Sequence, residues 1–361
     1  MEKGGYMTTV EMSRRTDDVP DHETADTSSI GGVGPPRHAS FGRLKGFYIG
    51  GVVNDNRHYS AAIREFLDGR ARLHWHESDS SPYTRVQYRA ICDGNFIRKI
   101  SERISPWVEA VVPLTPGIFG EDPVLVYFSE NAPSRQSSKA DFLKIRENIS
   151  RASGQPRRTV SELTAKSEIN GYTISILSDE ERHQSGVHKD VYALYERFGW
   201  NEENVAELLG NPDNIIGVAR KEDAIVAAGI GEIASIPVNG AIFRIAELTE
   251  AATRSDHERN GCYAAISTTI LLAIREQSQR RNVLGGEIDV IFGESNGLSE
   301  GVLRVAVSQG RTFSTDTTAR FGFPGSGILR QQVPISGPVR ETEYNDLLVT
   351  SLTRKELYEF T

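Results

Sequence analysis

Residues 242–277, IFRIAELTEAATRSDHERNGCYAAISTTILLAIREQ, decide the fold. The first part, Ile242 to Ala252, is dominated by apolar residues and predicts a strand. From about Gly261 to Gln277, isoleucines recur at helical spacing on one face and predict a long helix: Ile266, Ile270 and Ile274. The polar stretch from Arg254 to Tyr263 joins the two, so the chain passes from a strand through a turn directly into a helix.

The turn is a candidate anion site. Backbone N–H groups stay free where a helix begins after a strand, and such groups bind phosphate. We expect a phosphate group of a cofactor there, held by the turn and the residues that flank it: Ala251, Ala252, Thr253, Arg254, Arg259, Asn260, Gly261, Cys262, Tyr263 and Ala264. An ordinary Asn-Gly connection between a strand and a helix is the alternative, because one glycine is a weak signal.

Glu247 and Glu250 are candidate catalytic residues because both lie in the apolar strand before the turn. A carboxylate is costly to bury unless it is paired or used. With a raised pKa, it can accept the proton that an amine of pKa about 10.4 must lose in order to attack. Backbone N–H groups of the same strand can stabilise the oxyanion that forms. An ion pair with a neighbouring arginine is the alternative for either acid.

Strand alternation predicts different roles for the two acids. Glu247 and Thr249 share one face of the strand, and Leu248 and Glu250 share the other. We expect Thr249 to contact the substrate on the face of Glu247.

Composition divides the chain into four segments. Residues 1–40 are polar and rich in glycine, proline and serine, which predicts a disordered arm. Strand and helix patterns over 41–130 predict a small α/β domain, and the polar stretch 131–166 predicts a linker with some helix. Residues 167–361 form the predicted catalytic domain.

Charge and cysteine content exclude several classes of protein. The 361 residues carry a net charge of −8, which argues against nucleic acid and anionic membranes as partners. Two distant cysteines, Cys92 and Cys262, predict no disulfide framework and fit no metal-ligand spacing. His74 and His76 alternate in a strand-like run without a third ligand, so we expect no metal. With no apolar run long enough to span a membrane, we predict a cytoplasmic protein.

The order of elements in the second half resembles that of a GNAT acyltransferase domain. Two predicted helices, Val187–Phe198 and Glu202–Leu209, precede three antiparallel strands, the turn, the long helix, a strand and a helix. Several segments are similar, in the same order, to those of the beta-lysine acetyltransferases, a GNAT family: Asn54 to Arg57, Glu109 to Pro113 with Phe119-Gly120, Ile245 to Thr253, Ser255 to Cys262, and Gly327 to Glu341. The resemblance runs from about Gly46 to Leu352.

This resemblance implies a fold class and an activity. The fold is α/β: a mixed, mainly antiparallel sheet flanked by helices, with a smaller, degenerate GNAT-like N-terminal domain. The activity is N-acylation of an amino-acid-like amine, with Glu247 and Glu250 at the positions of the two strand acids of the family. The resemblance also implies that Asn296 meets the pantetheine arm, and that Asn345, one residue out of register, meets the substrate.

Four positions depart from the GNAT pattern. Glu258 and Arg259 stand where Arg-Gly-x-Gly usually begins, and Tyr263 stands where a glycine lets phosphate approach. Because an acid repels pyrophosphate, a carrier protein's phosphopantetheine with one phosphodiester is an alternative donor to acyl-CoA, and Arg254 and Arg259 suffice to bind it. Leu303 replaces a tyrosine that protonates the leaving thiolate, which a thiolate of pKa about 8.5 tolerates.

We therefore predict transfer of an acyl group from acyl-CoA, or from an acyl carrier protein, to a primary amine. The acceptor is a small amino-acid-like or natural-product molecule, and attack is direct. Cys262 is not expected to be a nucleophile, because no His-Asp pattern accompanies it. The alternative is a GNAT-shaped binding or regulatory module without turnover, which Glu258 and Leu303 favour.

Overall fold

Two β-sheets carry most of the chain. The computed structural model describes residues 43–75, 85–131, 138–198, 200–280, 287–324, 326–334 and 344–358. The predicted arm, residues 1–40, and part of the His74–Glu77 run lie outside these ranges. No helix among the described residues is long and apolar enough to cross a membrane.

The first sheet contains four strands in the order β1-β2-β4-β3, with β1 parallel to β2 and the other pairs antiparallel. Its elements follow one another from residue 43 to residue 131: β1 Arg43–Val53, α1 Asn56–Trp75, β2 Arg85–Asp93, α2 Gly94–Ile104, β3 Val108–Pro113 and β4 Pro123–Asn131. Asp93 caps α2 by accepting a hydrogen bond from the Phe96 N–H at 2.7 Å. Both helices bury their apolar residues against one face of the sheet.

A single helix spans the predicted linker. Helix α3, Lys139–Ser153, begins at the cap Ser138 and is followed by a short 3-10 turn, Val160–Glu162. Its Asn148 amide donates to the carbonyl oxygens of Gly297 and Leu298 at 3.1 and 3.0 Å. The helix is thereby attached to the second sheet.

The second sheet contains nine described strands in the order β11-β13-β10-β9-β8-β7-β6-β5, with β12 also paired to β13. Its elements are β5 Glu168–Ile169, β6 Tyr172–Ile176, α4 Asp179–Arg182, α5 Ser185–Tyr195, α6 Glu202–Gly210, β7 Ile215–Lys221, β8 Ala224–Val238, β9 Ala241–Thr253, α7 Cys262–Arg280, β10 Val290–Asn296, α8 Glu300–Ser308, β11 Thr312–Phe313, α9 Ser314–Arg320, β12 Ile328–Pro334, β13 Tyr344–Thr353 and α10 Arg354–Tyr358. Only β9 and β10 pair in parallel. The predicted mixed, mainly antiparallel sheet flanked by helices is therefore confirmed.

Strands β8 and β9 form a hairpin. Asn239 and Gly240 both have positive φ, 53° and 80°, which suits the tight turn that an Asn-Gly pair favours. The glycines of β7 and β8 allow close packing by α7. A Cβ on Gly231 would lie 2.6 Å from Ile270, so only glycine lets the helix come this near.

The opposite face of the second sheet is covered by two different layers. Helices α5 and α6 cover β7 and the first part of β8, and the first sheet covers β9, β10 and β13. Aromatic rings join the two sheets: Phe119 packs edge-on against Phe243 at 5.4 Å and Tyr127 against Phe292 at 6.4 Å. Helix α9 also reaches the first sheet, where the Val111 N–H donates to the Thr318 hydroxyl at 2.8 Å. The division into separate domains stays a prediction.

Candidate functional site

Strands β9 and β10 separate where the predicted chemistry lies. Their parallel pairing covers three residue pairs and ends at Glu247 and Phe292. Beyond that point, Leu248–Thr253 and Gly293–Asn296 continue as two arms, and we call the space between them the strand opening. A bulge accompanies the separation, because Thr249 pairs with Ile230 while Ala252 pairs with Ala228, leaving an extra residue in β9. A bulge bends and twists its strand, which explains why β9 leaves its neighbour.

Glu247 is the last paired residue before the strand opening and is only 7% exposed. Its side chain lies on the face that packs against the first sheet. There Arg89 of β2 approaches it, with 3.9 Å between Nη1 and the Glu247 carboxylate. The guanidinium also lies 5.6 Å from the ring centroid of Phe292 and 5.9 Å from that of Tyr127. Glu247 therefore does pair with an arginine, but the pair is buried between the two sheets and does not lie at the sheet surface.

Further acids share this face. Glu232 stands directly opposite Glu247 in the β8–β9 pairing and is 2% exposed. Burial raises the pKa of the Tyr127 hydroxyl far above its ordinary value, while Arg89 opposes the rise and Glu294 and Glu247 add to it. Tyr127 thus stays protonated at any physiological pH. The cation that Glu247 and the aromatic rings already contact is Arg89.

Glu250 and Thr249 lie at the bulge. Thr249 is half-buried and keeps the face of Glu247. The backbone of Glu250 falls inside the bulge, where the regular alternation assumed from the sequence is broken. The Glu250 side chain lies outside the described part of the structure, so its predicted role stays a prediction.

The turn after β9 is held together by its own side chains. Arg254 donates to both carboxylate oxygens of Asp256 at 2.7 and 3.0 Å and also contacts the His257 ring. His257 is in turn within hydrogen-bond distance of the Tyr172 hydroxyl at 2.9 Å. The Arg254 hydrogen bonds lower the pKa of Asp256. A phosphate bound at Arg254 would therefore compete with Asp256.

Glu258, the acid that departs from the GNAT pattern, lies close to an arginine. Arg197, just after α5, lies 3.7 Å from the Glu258 carboxylate and donates to the Thr253 carbonyl oxygen at 2.7 Å. The expected repulsion between Glu258 and a pyrophosphate is thus reduced. Arg259 adopts a left-handed φ of 65°, which glycine takes without strain, and its side chain is exposed.

The start of α7 presents free backbone donors. The Ala265 N–H donates to the Gly261 carbonyl oxygen at 3.1 Å, so the helical ladder begins there. The N–H groups of Cys262, Tyr263 and Ala264 precede that bond and have no partner within the helix. Asn260 shapes the turn by donating to the carbonyl oxygens of residues 257 and 258. This end of the helix can therefore receive an anion.

Cys262 is unsuited to nucleophilic attack. Its side chain is 2% exposed and packs in the core beneath α7. Burial raises the pKa of its thiol, which disfavours the reactive thiolate.

The remaining predicted positions fall in different places. The Asn296 side chain ends β10 by accepting a hydrogen bond from the Leu298 N–H at 2.9 Å, at the tip of one arm of the strand opening. Asn345 lies in β13 opposite Val333, and its side chain is outside the described part. Leu303 is fully buried in the core under α3, so a tyrosine at this position would not face the strand opening.

Sequence reasoning missed Arg89, Glu232, Glu294 and a buried arginine, Arg311, which lies behind the strand opening. Glu232 is a carboxylate within an apolar strand, the same signal that singled out Glu247. Strand β2, which carries Arg89, was not predicted at all.

No protein-family model matches the chain, and no curated protein sequence is significantly similar to it. Solved structures do show a likeness in fold. The ribosomal-protein-S18-alanine N-acetyltransferase from Escherichia coli is 17% identical, with 50% of this chain and 93% of that chain covered and a TM-score of 0.33. Aminoglycoside 6'-acetyltransferase type Ii is 16% identical, with 50% and 96% covered and a TM-score of 0.32.

A third solved structure shows a similarly low sequence identity and TM-score. An N-acetyltransferase from Staphylococcus aureus is 10% identical, with 51% of this chain and 97% of that chain covered and a TM-score of 0.30. Sequence identities and TM-scores this low do not indicate an activity, which has to be inferred from the geometry of the site.

Proposed function

We propose that the protein is an N-acyltransferase that moves an acyl group from a pantetheine thioester to a primary amine. The observation that carries this proposal is the strand opening next to Glu247. Where β9 and β10 separate, the facing N–H and C=O groups of the two arms no longer bond to each other, and buried backbone groups need partners. A pantetheine arm, with its two amides, supplies such partners along its length.

The start of α7 is the proposed binding site for the phosphate at the other end of the donor. This helix begins nine residues after Thr253, the end of the β9 arm, and its free N–H groups attract a phosphate. Arg259 is exposed beside them. Because Arg197 offsets Glu258, both acyl-CoA and a carrier-bound phosphopantetheine fit the proposal.

Glu247 is the proposed base. An amine that reaches the acids on the first-sheet face arrives as a cation, and Glu247 takes its proton directly or through a water. The freed nitrogen attacks the thioester carbon, and the C–N bond forms as the carbonyl oxygen becomes an oxyanion. N–H groups of the β9 arm stabilise that oxyanion. The C–S bond then breaks, and the sulfur leaves with the electron pair and takes up the second proton of the amine nitrogen, so that a neutral amide and a thiol result.

The acceptor follows from the same surroundings. Glu232, Glu247 and Glu294 favour a cationic amine, which would meet them beside Arg89, the cation that already pairs with Glu247 and lies over the rings of Tyr127 and Phe292. The same rings favour an apolar body attached to the amine. A small amino-acid-like or natural-product amine meets both requirements. Because residues of both sheets line the site, the first sheet takes part in choosing the acceptor. A cytoplasmic location and the lack of nucleic-acid or membrane partners stay predictions from composition.

The experiment is a measurement of thiol release with acyl-CoA and with an acyl carrier protein over a panel of primary amines. We expect release that depends on the amine, with an amide product of matching mass. Tight donor binding without release for any pair would instead support the binding or regulatory module. Glu250→Gln is assayed beside Glu247→Gln, and wild-type rates in both variants would show that the chemistry is placed wrongly.

A further inference from the structure

Arg311 is a buried cation with no counter-ion among the residues that the structure describes. It lies between α8 and β11 and is only 1% exposed. Its guanidinium donates to the Thr350 hydroxyl at 3.0 Å and to the Gln309 side-chain oxygen at 2.9 Å, and the Tyr263 hydroxyl lies beside it. All three partners are neutral. Among the described residues no carboxylate pairs with Arg311, and its Nε has no hydrogen-bond partner.

Such an arrangement is costly unless something compensates it. Moving a guanidinium out of water without an opposite charge carries a large desolvation penalty, whereas an apolar side chain of similar volume would carry none. Burial lowers the pKa of Arg311, as this penalty requires. An anionic ligand would therefore stabilise the Arg311 charge more than the neutral side chains around it do.

The charge sits at the strand opening. A Cβ placed on Gly293 would lie 2.8 Å from Arg311 Nη1 and 2.9 Å from the Leu248 carbonyl oxygen. Gly293 and Leu248 are the first residues of the two arms, directly after the last paired residues. The Leu248 side chain packs with α7, on the face opposite Glu247. Arg311 thus reaches the opening from behind, while Glu247 reaches it from the first-sheet side.

Tyr263 is a neutral neighbour of this cation. It belongs to the first turn of α7 and is half-buried, with its hydroxyl next to the guanidinium. A carboxylate that replaced this hydroxyl would meet the guanidinium directly. The guanidinium fork then has Nη and Nε protons to offer, which matches the two oxygens of a carboxylate.

We infer that Arg311 binds a carboxylate at the far end of the acyl group, so that the donor is a thioester of a dicarboxylic acid. This inference rests on the proposed acyl transfer and concerns only its donor. The carboxylate takes no part in the reaction: the C–S bond breaks, the C–N bond forms, and the amine proton goes to Glu247 as before. Arg311 selects and orients the acyl group.

The test compares three synthetic pantetheine thioesters: acetyl, succinyl and the methyl ester of succinyl. Wild-type kcat/KM is expected to be at least a hundredfold higher for succinyl than for its methyl ester. In Arg311→Gln, kcat/KM for succinyl should fall at least a hundredfold, while that for acetyl changes less than threefold. Arg304→Gln, an exposed arginine on α8, is the matched control and should behave as wild type.

Three outcomes would overturn the inference. Equal losses for all three donors would show that the charge acts on the thioester itself or on the leaving thiolate. A loss that depends on the carboxylate of the acceptor, seen with an amino acid but not with its amide, would place the bound carboxylate on the other substrate. Equal wild-type rates for all three donors would refute the selectivity and leave the acyl transfer intact.

Calorimetric titration with succinyl-pantetheine, without an acceptor, separates this inference from the proposed function. Binding that the wild type shows and Arg311→Gln loses supports the carboxylate site even if no amine is acylated. Equal binding in both proteins overturns it. Arg311→Lys serves if the glutamine variant does not fold, because it keeps the charge and loses the fork. It should lower the succinyl preference at least tenfold and leave the acetyl rate unchanged.

Discussion

Two buried arginines face the strand opening from opposite sides, and their surroundings differ. Arg89, from the first sheet, lies against the Glu247 carboxylate and the rings of Tyr127 and Phe292. Arg311 has only neutral hydrogen-bond partners among the described residues. A paired charge is part of the folded structure, whereas an unmatched one is suited to a ligand. The first-sheet side of the opening thus holds a charge that is already paired, whereas the other side holds one without a counter-ion among the described residues, which suits an anion.

Arg89→Ala should give the largest change in stability. The substitution leaves Glu247 buried without its guanidinium, and breaking a buried pair in this way costs about 3–5 kcal/mol. The free energy of unfolding in urea measures the loss. Arg64→Ala, an exposed arginine of α1, is the matched control and should change it by less than about 0.5 kcal/mol. Equal effects of the two variants would show that Arg89 is not a paired structural charge.

Arg311→Met should act in the opposite direction. Replacing an uncompensated buried cation by an apolar chain is expected to leave the free energy of unfolding unchanged or raise it by up to about 4 kcal/mol. Urea unfolding without any ligand is the measurement. A loss as large as that of Arg89→Ala would contradict the comparison, because it would give both arginines the same structural role.

Asp289, an acid away from the strand opening, is a reference for how burial changes the pKa of a charged group. Asp289 precedes β10 and accepts a hydrogen bond from the Arg244 N–H at 2.8 Å. Burial raises its pKa to about 6, while that N–H and the Arg244 charge oppose the rise. Because this pKa lies above the unfolded value of about 3.9, the native state holds the extra proton, and stability falls as pH rises from about 4 to 6.

Asp289→Asn removes that titration. The variant should flatten this part of the stability curve by about 2–3 kcal/mol at most. Unfolding in urea between pH 4 and 7 measures it, with the exposed Asp179→Asn as control. An unchanged curve would show that burial of Asp289 does not raise its pKa.

The smallest expected effect concerns Arg197. Its pair with Glu258 is exposed, so Arg197→Gln should change the free energy of unfolding by less than about 1 kcal/mol. Without Arg197, the Glu258 carboxylate should repel the phosphates of the donor and raise KM for acyl-CoA a few-fold. KM for a carrier-bound donor, which has one phosphodiester, should rise less. Steady-state kinetics with both donors checks this. An unchanged KM for acyl-CoA would show that Glu258 lies away from the phosphates.

Local patterns predicted the centre of the fold. The isoleucine spacing from Ile266 to Ile274 predicted α7, and the apolar run from Ile242 to Ala252 predicted β9. Strand β2 escaped prediction because it buries Arg85, Gln87 and Arg89, so its sequence lacks an apolar run. Such residues become tolerable in a strand only through distant partners, as when Arg85 meets Glu109.

The site itself was predictable only in part. Glu247 was noticeable because a carboxylate interrupts an apolar strand, but its partner Arg89 is far away in sequence. The bulge at Glu250 has no glycine or proline to mark it, so its break in alternation could not be foreseen. Arg311 follows the Gln309-Gly310 helix end and gives no sign, within the sequence, that its charge is buried and unmatched.

The most direct test of the central claim is the pH dependence of kcat for Glu247→Gln. At pH 7 we expect kcat to fall about 10²- to 10⁴-fold, with little change in donor KM, because the amine loses its proton acceptor. The rate should recover as the pH approaches the amine's own pKa of about 10.4. Glu168→Gln, an exposed acid on β5, should follow the wild type throughout. A Glu247→Gln enzyme with wild-type kcat across this range would contradict the placement of the chemistry at the strand opening.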